Sequence, residues 1–191
     1  MTPRPAPTSL AAALLLAAAV AAARADPPPQ AALCSACHGE QGVPTAANIP
    51  VIWGQNEGYL YLELRDFKLG NRRNEVMGAV AATLEKDDMR ALAAYFAART
   101  WPALNQPAAP EAVARQAEAV DNSAGCKGCH LANWQGDSTT PRLAGQQHDY
   151  LRATMAAFRD GARTNNPWMA ALLKTYSDTD IDALAAYLAG R

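Results

Sequence analysis

The chain of 191 residues lacks several features that define common protein classes. It has no excess of positive charge, because 17 Lys and Arg stand against 18 Asp and Glu, and this balance argues against nucleic-acid binding. No segment shows the sustained alternation of apolar and polar residues that is typical of strands. Beyond the first 25 residues, no apolar run approaches the ~20 residues that a membrane-spanning helix needs. These absences leave an all-α protein as the expected fold class.

The N-terminus matches the pattern of a cleavable export signal. Residues 10–23 form an apolar run behind Arg4, and residues 23–25, which read Ala-Arg-Ala, fit a small-x-small cleavage site. An uncleaved membrane anchor is the weaker alternative, because 14 apolar residues are short for a span of ~20. We expect residues 1–25 to be a cleaved signal peptide and the mature chain, residues 26–191, to lie in the periplasm. Its net charge would then be 15 − 18 = −3, because two arginines leave with the signal.

Cysteine and histidine are scarce, and both are concentrated at two places. Residues 34–38 read Cys-Ser-Ala-Cys-His and residues 126–130 read Cys-Lys-Gly-Cys-His, so no cysteine is left for a disulfide. Each segment is a Cys-x-x-Cys-His motif, the attachment signature of a c-type haem. Two cysteines one helical turn apart can form thioethers with the vinyl groups of one haem, and the next histidine can bind the iron. The sequence therefore predicts two covalent haem c groups, one on Cys34, Cys37 and His38 and the other on Cys126, Cys129 and His130.

Two non-haem interpretations of these motifs fit less well. A thioredoxin-like redox motif is expected near a βαβ pattern, and the sequence shows none. A zinc site needs four ligands, whereas four Cys with two His exceed one tetrahedral set and are split between distant segments.

The two motifs belong to a duplication of nearly the whole chain. Corresponding residues are 92 positions apart at the motifs, 91 apart in a central block, and 92 apart again from the methionines onward. Two copies of one fold tolerate such length changes in their loops. Residues 101–110 contain three prolines, which disfavour a continuing helix. We therefore expect one domain at 26–105 and another at 106–191.

Each copy has helical periodicity. Apolar residues at i, i+3, i+4 and i+7 form a face in residues 89–96, and residues 181–188 repeat it. Ser177 and Asp180 have the spacing of a capping box at the start of the latter helix. Residues 60–67 and their copy at 151–158 predict a middle helix in each half. A further helix is expected from about Glu111 towards Cys126.

The second axial ligand of each iron follows by elimination. His and Met are the usual axial side chains of electron-transfer haems. His148 is the only spare histidine and matches Glu57 in the other copy, so we interpret it as a half-exposed residue near a helix start. Met77 and Met169 match each other, and each follows its histidine by 39 residues after a polar, turn-like stretch. We predict that both lie on loops and bind the two irons.

The remaining methionines are predicted to fill the core. Met89 matches Ile181 and Met155 matches Leu64, and neither counterpart can bind iron.

Several other matched residues could support the haems. The carbonyl of Pro50 or Pro141 could accept a hydrogen bond from the histidine Nδ1–H, or each proline could only shape a loop. Arg72 and Arg163 could neutralise haem propionates, or could simply be solvated. Aromatic residues could line the haem crevices or pack in the core; these are Trp53, Tyr59 and Tyr150.

These motifs resemble class I cytochromes c, and their arrangement is most similar to the di-haem cytochrome c4 family. The likeness rests on residues 34–42 (Cys-x-x-Cys-His-Gly-x-x-Gly), on Pro-x-x-x-Gly-Gln at 50–55 and 141–146, and on the closing Ala-Ala-Tyr helices. It implies an all-α fold of two tandem class I cytochrome c domains, each wrapped around one covalently bound haem. The second copy departs from the pattern, because Leu131 stands where Gly39 stands in the first, so the following loop could differ.

The resemblance implies a periplasmic electron carrier, not an enzyme. Its expected partners are redox proteins, such as a membrane-bound oxidase or a cytochrome bc-type complex, which it would meet through weak, transient interfaces. One alternative is a haem subunit that accepts electrons from a periplasmic dehydrogenase. Another is a di-haem peroxidase, which needs an open iron position, and the matched methionines argue against it.

Overall fold

The structure, a computed structural model, describes residues 26–191, and the predicted signal peptide lies outside them. This part of the chain contains nine α-helices, and its only β feature is an isolated bridge between Asp137 and Thr140. The all-α prediction is therefore confirmed. None of the described helices is both long and apolar enough to cross a membrane.

The helices follow the duplication. In the first half they are α1 (Ala31–His38), α2 (Glu57–Leu69), α3 (Glu75–Ala82) and α4 (Lys86–Ala97). In the second half they are α5 (Glu111–Ala124), α6 (Lys127–His130), α7 (His148–Arg159), α8 (Pro167–Leu173) and α9 (Asp178–Ala189). Helix α2 packs against α3 and α4, and α7 packs in the same way against α8 and α9. Helix α5 also packs against α9, and the segment between α4 and α5 has no regular secondary structure.

The predicted apolar faces of α4 and α9 are buried. In α4, Met89, Leu92 and Phe96 are each at most 5% exposed. Helix α9 begins with the predicted capping box, in which Ser177 Oγ accepts from the Asp180 amide at 3.2 Å. The Asp180 carboxylate accepts in return from the Ser177 amide at 3.0 Å. These caps satisfy backbone N–H groups that have no partner within the helix.

The methionines predicted to bind iron lie in helices, so the prediction that they lie on loops is wrong. Met77 is in the first turn of α3 and Met169 in the first turn of α8. The Met77 amide donates to Asn74 Oδ1 at 2.9 Å, and the Met169 amide donates to Asn166 Oδ1 at 3.1 Å. Asparagine is a favoured N-cap residue, so a short helix begins at the end of each polar stretch.

The two halves differ in the size of their apolar cores. The C-terminal cluster contains fifteen buried residues from α5, α7, α8, α9 and the adjoining loops. The N-terminal cluster contains five, most of them from α4. As predicted, Met89 and Met155 are buried in these clusters. A domain of about 80 residues buries a smaller fraction of its surface than a larger domain does, so the N-terminal half, with the smaller cluster, depends more on any group that adds to its core.

We predict that the chain folds poorly without haem, and that the N-terminal half is affected first. Replacing all four cysteines with alanine should reduce the far-ultraviolet circular dichroism of the helices. Amide hydrogen exchange should show less protection in α2 and α4 than in α7 and α9, because the C-terminal cluster is larger. Near-native helix content in this apoprotein, or equal protection in both halves, would contradict the prediction.

Candidate functional site

Helix α1 ends at the histidine of the first motif. Cys34 and Cys37 lie on this helix, and His38 at its end is only 7% exposed. His38 Nδ1 lies 2.8 Å from the carbonyl oxygen of Pro50, so the ring donates from Nδ1. This hydrogen bond selects one tautomer and leaves the lone pair of Nε2 available for a metal.

The second motif repeats this geometry. Cys126 precedes α6 and Cys129 lies within it. His130 ends the helix, is 6% exposed, and donates from Nδ1 to the Pro141 carbonyl at 3.0 Å. Of the two interpretations of these prolines, the structure therefore supports the one in which each carbonyl accepts from a histidine.

Burial and the hydrogen bond act in opposite directions on both histidines. Burial lowers the pKa of His38 and of His130, and the proline carbonyl opposes this by stabilising the protonated ring. The net pKa of each is below its ordinary value of 6.5, so both imidazoles are neutral at pH 7. A neutral imidazole with a fixed Nδ1–H is the form that binds a metal ion.

The residue after each histidine has a positive φ. Gly39 has φ +90°, and a Cβ there would lie 2.0 Å from the carbonyl oxygen of Val43, so this turn requires glycine. Leu131 takes the equivalent position with φ +64°. Trp134, with φ +58°, matches Gly42, with φ +82°, so this part of the turn has the same backbone conformation in both halves. Gly136 and Ser138 further on also have positive φ, whereas no residue at 44–47 does, so the later part of the loop differs from its counterpart.

None of the four cysteines is in a disulfide, and in each motif one is partly buried and one exposed. Cys34 packs against the N-terminal core and Cys126 against the C-terminal core. Burial raises the pKa of Cys34, and burial together with the Asp121 carboxylate raises that of Cys126 to about 11. In the part of the chain that the structure describes, no three His, Cys, Asp or Glu side chains are grouped as a metal site.

Three indole N–H groups are buried without an acceptor among the described residues. Trp53 and Trp134 lie in the loops that follow His38 and His130, and Trp101 lies in the segment between α4 and α5. Trp53 Nε1 is such a donor in the first half, where its ring lies against Gly42. Trp134 Nε1 is another in the second half, four residues after His130. Buried polar groups without a partner are rare, and a carboxylate-bearing group beside each histidine would satisfy these donors. Together with the thiol pairs and the neutral histidines, these donors fit a haem.

Sequence reasoning missed Trp134, although the repeat contains a signal for it. Trp134 matches Gly42, and Trp53 matches Ala144. Each half therefore has one such indole in the loop after its histidine, but at a different position of the repeat.

A buried polar cluster joins the halves around Glu63 on α2. Arg72 Nη1 lies 2.7 Å from Glu63 Oε2, and Arg163 Nη2 contacts Glu63 Oε1. Arg72 also donates to the Tyr150 hydroxyl at 3.1 Å, and Arg163 lies 3.5 Å from that of Tyr59. The arginine side chains are only 13% and 7% exposed, so the interpretation of solvated arginines is wrong.

The cluster contains more positive than negative charge at its centre. Burial raises the pKa of Tyr150, but the charges of Arg72 and Arg163 outweigh it and bring the pKa below its usual value. Asn165 Nδ2 donates to Glu63 Oε2 at 3.2 Å, so Glu63 is shared by three donors. Asn165 also donates to buried Asp66, which pairs with Arg65. Three arginines against two carboxylates leave capacity for a further anion.

Repeat comparison could not find Glu63, because its counterpart in the second half is Thr154. The interpretation of His148 as a half-exposed residue near a helix start is correct. That residue begins α7, its side chain is 34% exposed, and its Nδ1 lies 2.9 Å from Asp149 Oδ1.

The comparisons with known proteins agree with this geometry. The chain is 34% identical to cytochrome c4 of Azotobacter vinelandii, in an alignment covering 84% of this chain and 85% of that protein. The chain belongs to the cytochrome c4 family. The crystal structure of reduced recombinant cytochrome c4 from Pseudomonas stutzeri matches with a TM-score of 0.76 at 32% identity, covering 84% of this chain and 94% of that one.

Two further matches extend the family assignment. The family model for cytochrome c matches residues 114–191. A thiosulfate dehydrogenase electron acceptor from Stutzerimonas stutzeri (strain A1501) is 34% identical, covering 83% of this chain and 79% of that protein. The expected family and fold are therefore confirmed.

We predict that Glu63→Gln destabilises this cytochrome c4-family protein by about 3–5 kcal/mol, because two buried arginines lose their counter-charge. Chemical denaturation of the haem-loaded protein would measure the change. Asp87→Asn is the control, since its ion pair with Arg90 is exposed, and it should change stability by less than about 1 kcal/mol. Equal effects of the two substitutions would contradict the prediction.

Proposed function

We propose that the chain is a periplasmic electron-transfer protein that carries two haem c groups and passes electrons between respiratory redox partners. The observation that carries this proposal is the duplicated hydrogen bond between a buried histidine and a proline carbonyl, next to a pair of cysteines that form no disulfide. The residues that would hold the haems are Cys34, Cys37 and His38 in one half and Cys126, Cys129 and His130 in the other.

Met77 and Met169 are the proposed ligands on the opposite face of each iron. Both are partly buried, and each is held by an asparagine N-cap at the same place in its helix. The other methionines beyond the N-terminal segment are core residues. Each bound haem would supply one-electron redox chemistry, and a thioether ligand favours the ferrous state. With both faces closed, the site offers no position for a substrate, which supports a carrier over an enzyme.

The halves would act as two domains, 26–105 and 106–191. Gln106 supports this boundary, because its side chain binds the backbone of residues 146, 148 and 189 in the second half. The cationic cluster between the halves supports a role for Arg72 and Arg163 in neutralising haem propionates.

Electron exchange with partners would occur near the methionine helices. The residue before each methionine is exposed and apolar: Val76 is 64% exposed and Trp168 is 87% exposed. A single exposed apolar residue can add to a small interface, and small interfaces suit transient contacts with an oxidase or a cytochrome bc-type complex.

A second candidate function is that of an electron-accepting haem subunit of a periplasmic dehydrogenase. The observation that favours it is the 34% identity to a thiosulfate dehydrogenase electron acceptor. Affinity purification from the native periplasm separates the two functions. A stoichiometric dehydrogenase that co-purifies at physiological salt would favour the subunit, and recovery of the chain alone would favour the free carrier.

We predict that the haem-loaded protein contains two haems per chain, both low-spin, and does not bind carbon monoxide when reduced. Absorption spectra of the oxidised and reduced protein, with and without carbon monoxide, measure this directly. Rapid carbon monoxide binding by the wild-type protein would show an open iron and would favour the peroxidase alternative.

Substituting the methionines tests the proposed ligands one at a time. Met169→Ala should open one iron, so that half of the haem becomes high-spin and binds carbon monoxide, and Met77→Ala should open the other. Met155→Leu is the matched control, because Met155 lies in the core, and its spectrum should be unchanged. A wild-type spectrum for either alanine variant would exclude that methionine as a ligand.

A further inference from the structure

Two buried glutamines cross between the halves. Gln146 of the second half is 2% exposed and lies against Val51 of the first half, which is 1% exposed. The Val51 amide donates to Gln146 Oε1 at 2.8 Å, and Gln146 Nε2 donates to the Val51 carbonyl at 3.0 Å. The carboxamide thus forms both hydrogen bonds with one backbone residue.

The first half makes the same contact in return. The Arg142 amide donates to Gln55 Oε1 at 2.7 Å, and Gln55 Nε2 donates to the Arg142 carbonyl at 2.9 Å. Gln55 and Gln146 are 91 positions apart, as are Val51 and Arg142, so the two contacts are related by the duplication.

Each glutamine accepts a hydrogen bond from a peptide group whose carbonyl oxygen accepts one from a histidine. The Val51 N–H and the Pro50 carbonyl belong to the same peptide group, whose oxygen accepts from His38 Nδ1. The chain of hydrogen bonds therefore runs from Gln146 through one peptide to His38. In the other half it runs from Gln55 through the peptide between residues 141 and 142 to His130.

Hydrogen bonds in such a chain strengthen one another. When a peptide N–H donates to a good acceptor, electron density shifts towards its carbonyl oxygen, which then becomes a better acceptor itself. A stronger acceptor at Nδ1 makes the imidazole a more basic ligand, which favours ferric iron. Because each glutamine is buried, its effect on the peptide is not weakened by competition with bulk water.

We propose that Gln55 and Gln146 are positioning residues that act across the halves: Gln146 sets the histidine of the N-terminal haem and Gln55 that of the C-terminal haem. This rests on the proposed function, in which His38 and His130 bind iron. Each half thereby tunes the reduction potential of the haem in the other half.

The test replaces one glutamine at a time in the haem-loaded protein, with Gln146→Leu and Gln55→Leu. The potential of each haem is measured by spectroelectrochemistry, with haem methyl signals in NMR spectra assigning each potential to its half. We expect Gln146→Leu to raise the potential of the N-terminal haem and leave the other unchanged. Gln55→Leu should do the reverse.

A shift confined to the haem of the opposite half would show that a glutamine positions that histidine, and does not merely hold the two halves together. Shifts of both haems in each variant, a shift only of the haem in the substituted half, or no shift would each overturn the proposal. Gln116→Leu is the matched control, because Gln116 binds Asp180 and not a histidine-bearing peptide, and neither potential should move.

Gln146→Glu and Gln55→Glu provide the conservative comparison, and they carry the test if a leucine variant does not fold. Glutamate keeps an acceptor for the peptide N–H and adds negative charge, so the potential of the opposite haem should not rise above the wild-type value, and a rise would contradict the proposal. Amide exchange of Val51 should be faster in Gln146→Leu than in wild type. A spectrum without two histidine-ligated haems would refute the proposed function, whereas normal spectra without crossed shifts would refute only this inference.

Discussion

The hydrogen bond from a histidine Nδ1–H to a proline carbonyl is the interaction on which both sites depend. It lets His38 and His130 be buried as neutral rings in one tautomer, with the lone pair of Nε2 available for a metal. The local backbone conformation makes this hydrogen bond possible. The chain must turn sharply after each histidine, and the first half does so with Gly39 at φ +90°. A loop of about a dozen residues then returns each proline to the ring.

The contact between the halves protects that bond in two ways. Gln55 and Gln146 occupy the backbone groups next to each proline and keep them from competing water, because both amides are almost fully buried. The cluster around Glu63 adds ion pairs to the same interface. Its two arginines come from different halves, so neither half alone contains the full set of partners. The small N-terminal core therefore gains support from the larger C-terminal half.

Sequence comparison of the two copies predicted the features that each copy needs for itself. A ligand set for haem would be needed in each half, so the proposed ligands Met77 and Met169 could be separated from Met89 by matching positions. Contacts between the halves escape such a comparison, because they join positions that are not equivalent. Glu63 has no acidic counterpart, and Gln146 binds Val51 instead of its own match. The methionine helices were missed for a local reason, since a polar stretch ending in asparagine resembles a loop although it caps a helix.

The duplicated interior and the differing surface meet different requirements. Electron transfer favours similar, closed coordination at both irons, because little ligand movement then accompanies oxidation, and the matched histidine and methionine environments suit this. Passing electrons from one partner to another instead requires that the donor and the acceptor recognise different surfaces of the protein. Val76 and Trp168 occupy equivalent exposed positions but present very different apolar areas. The chain can therefore offer partners two distinct surfaces while the geometry that supports its two haems stays nearly the same.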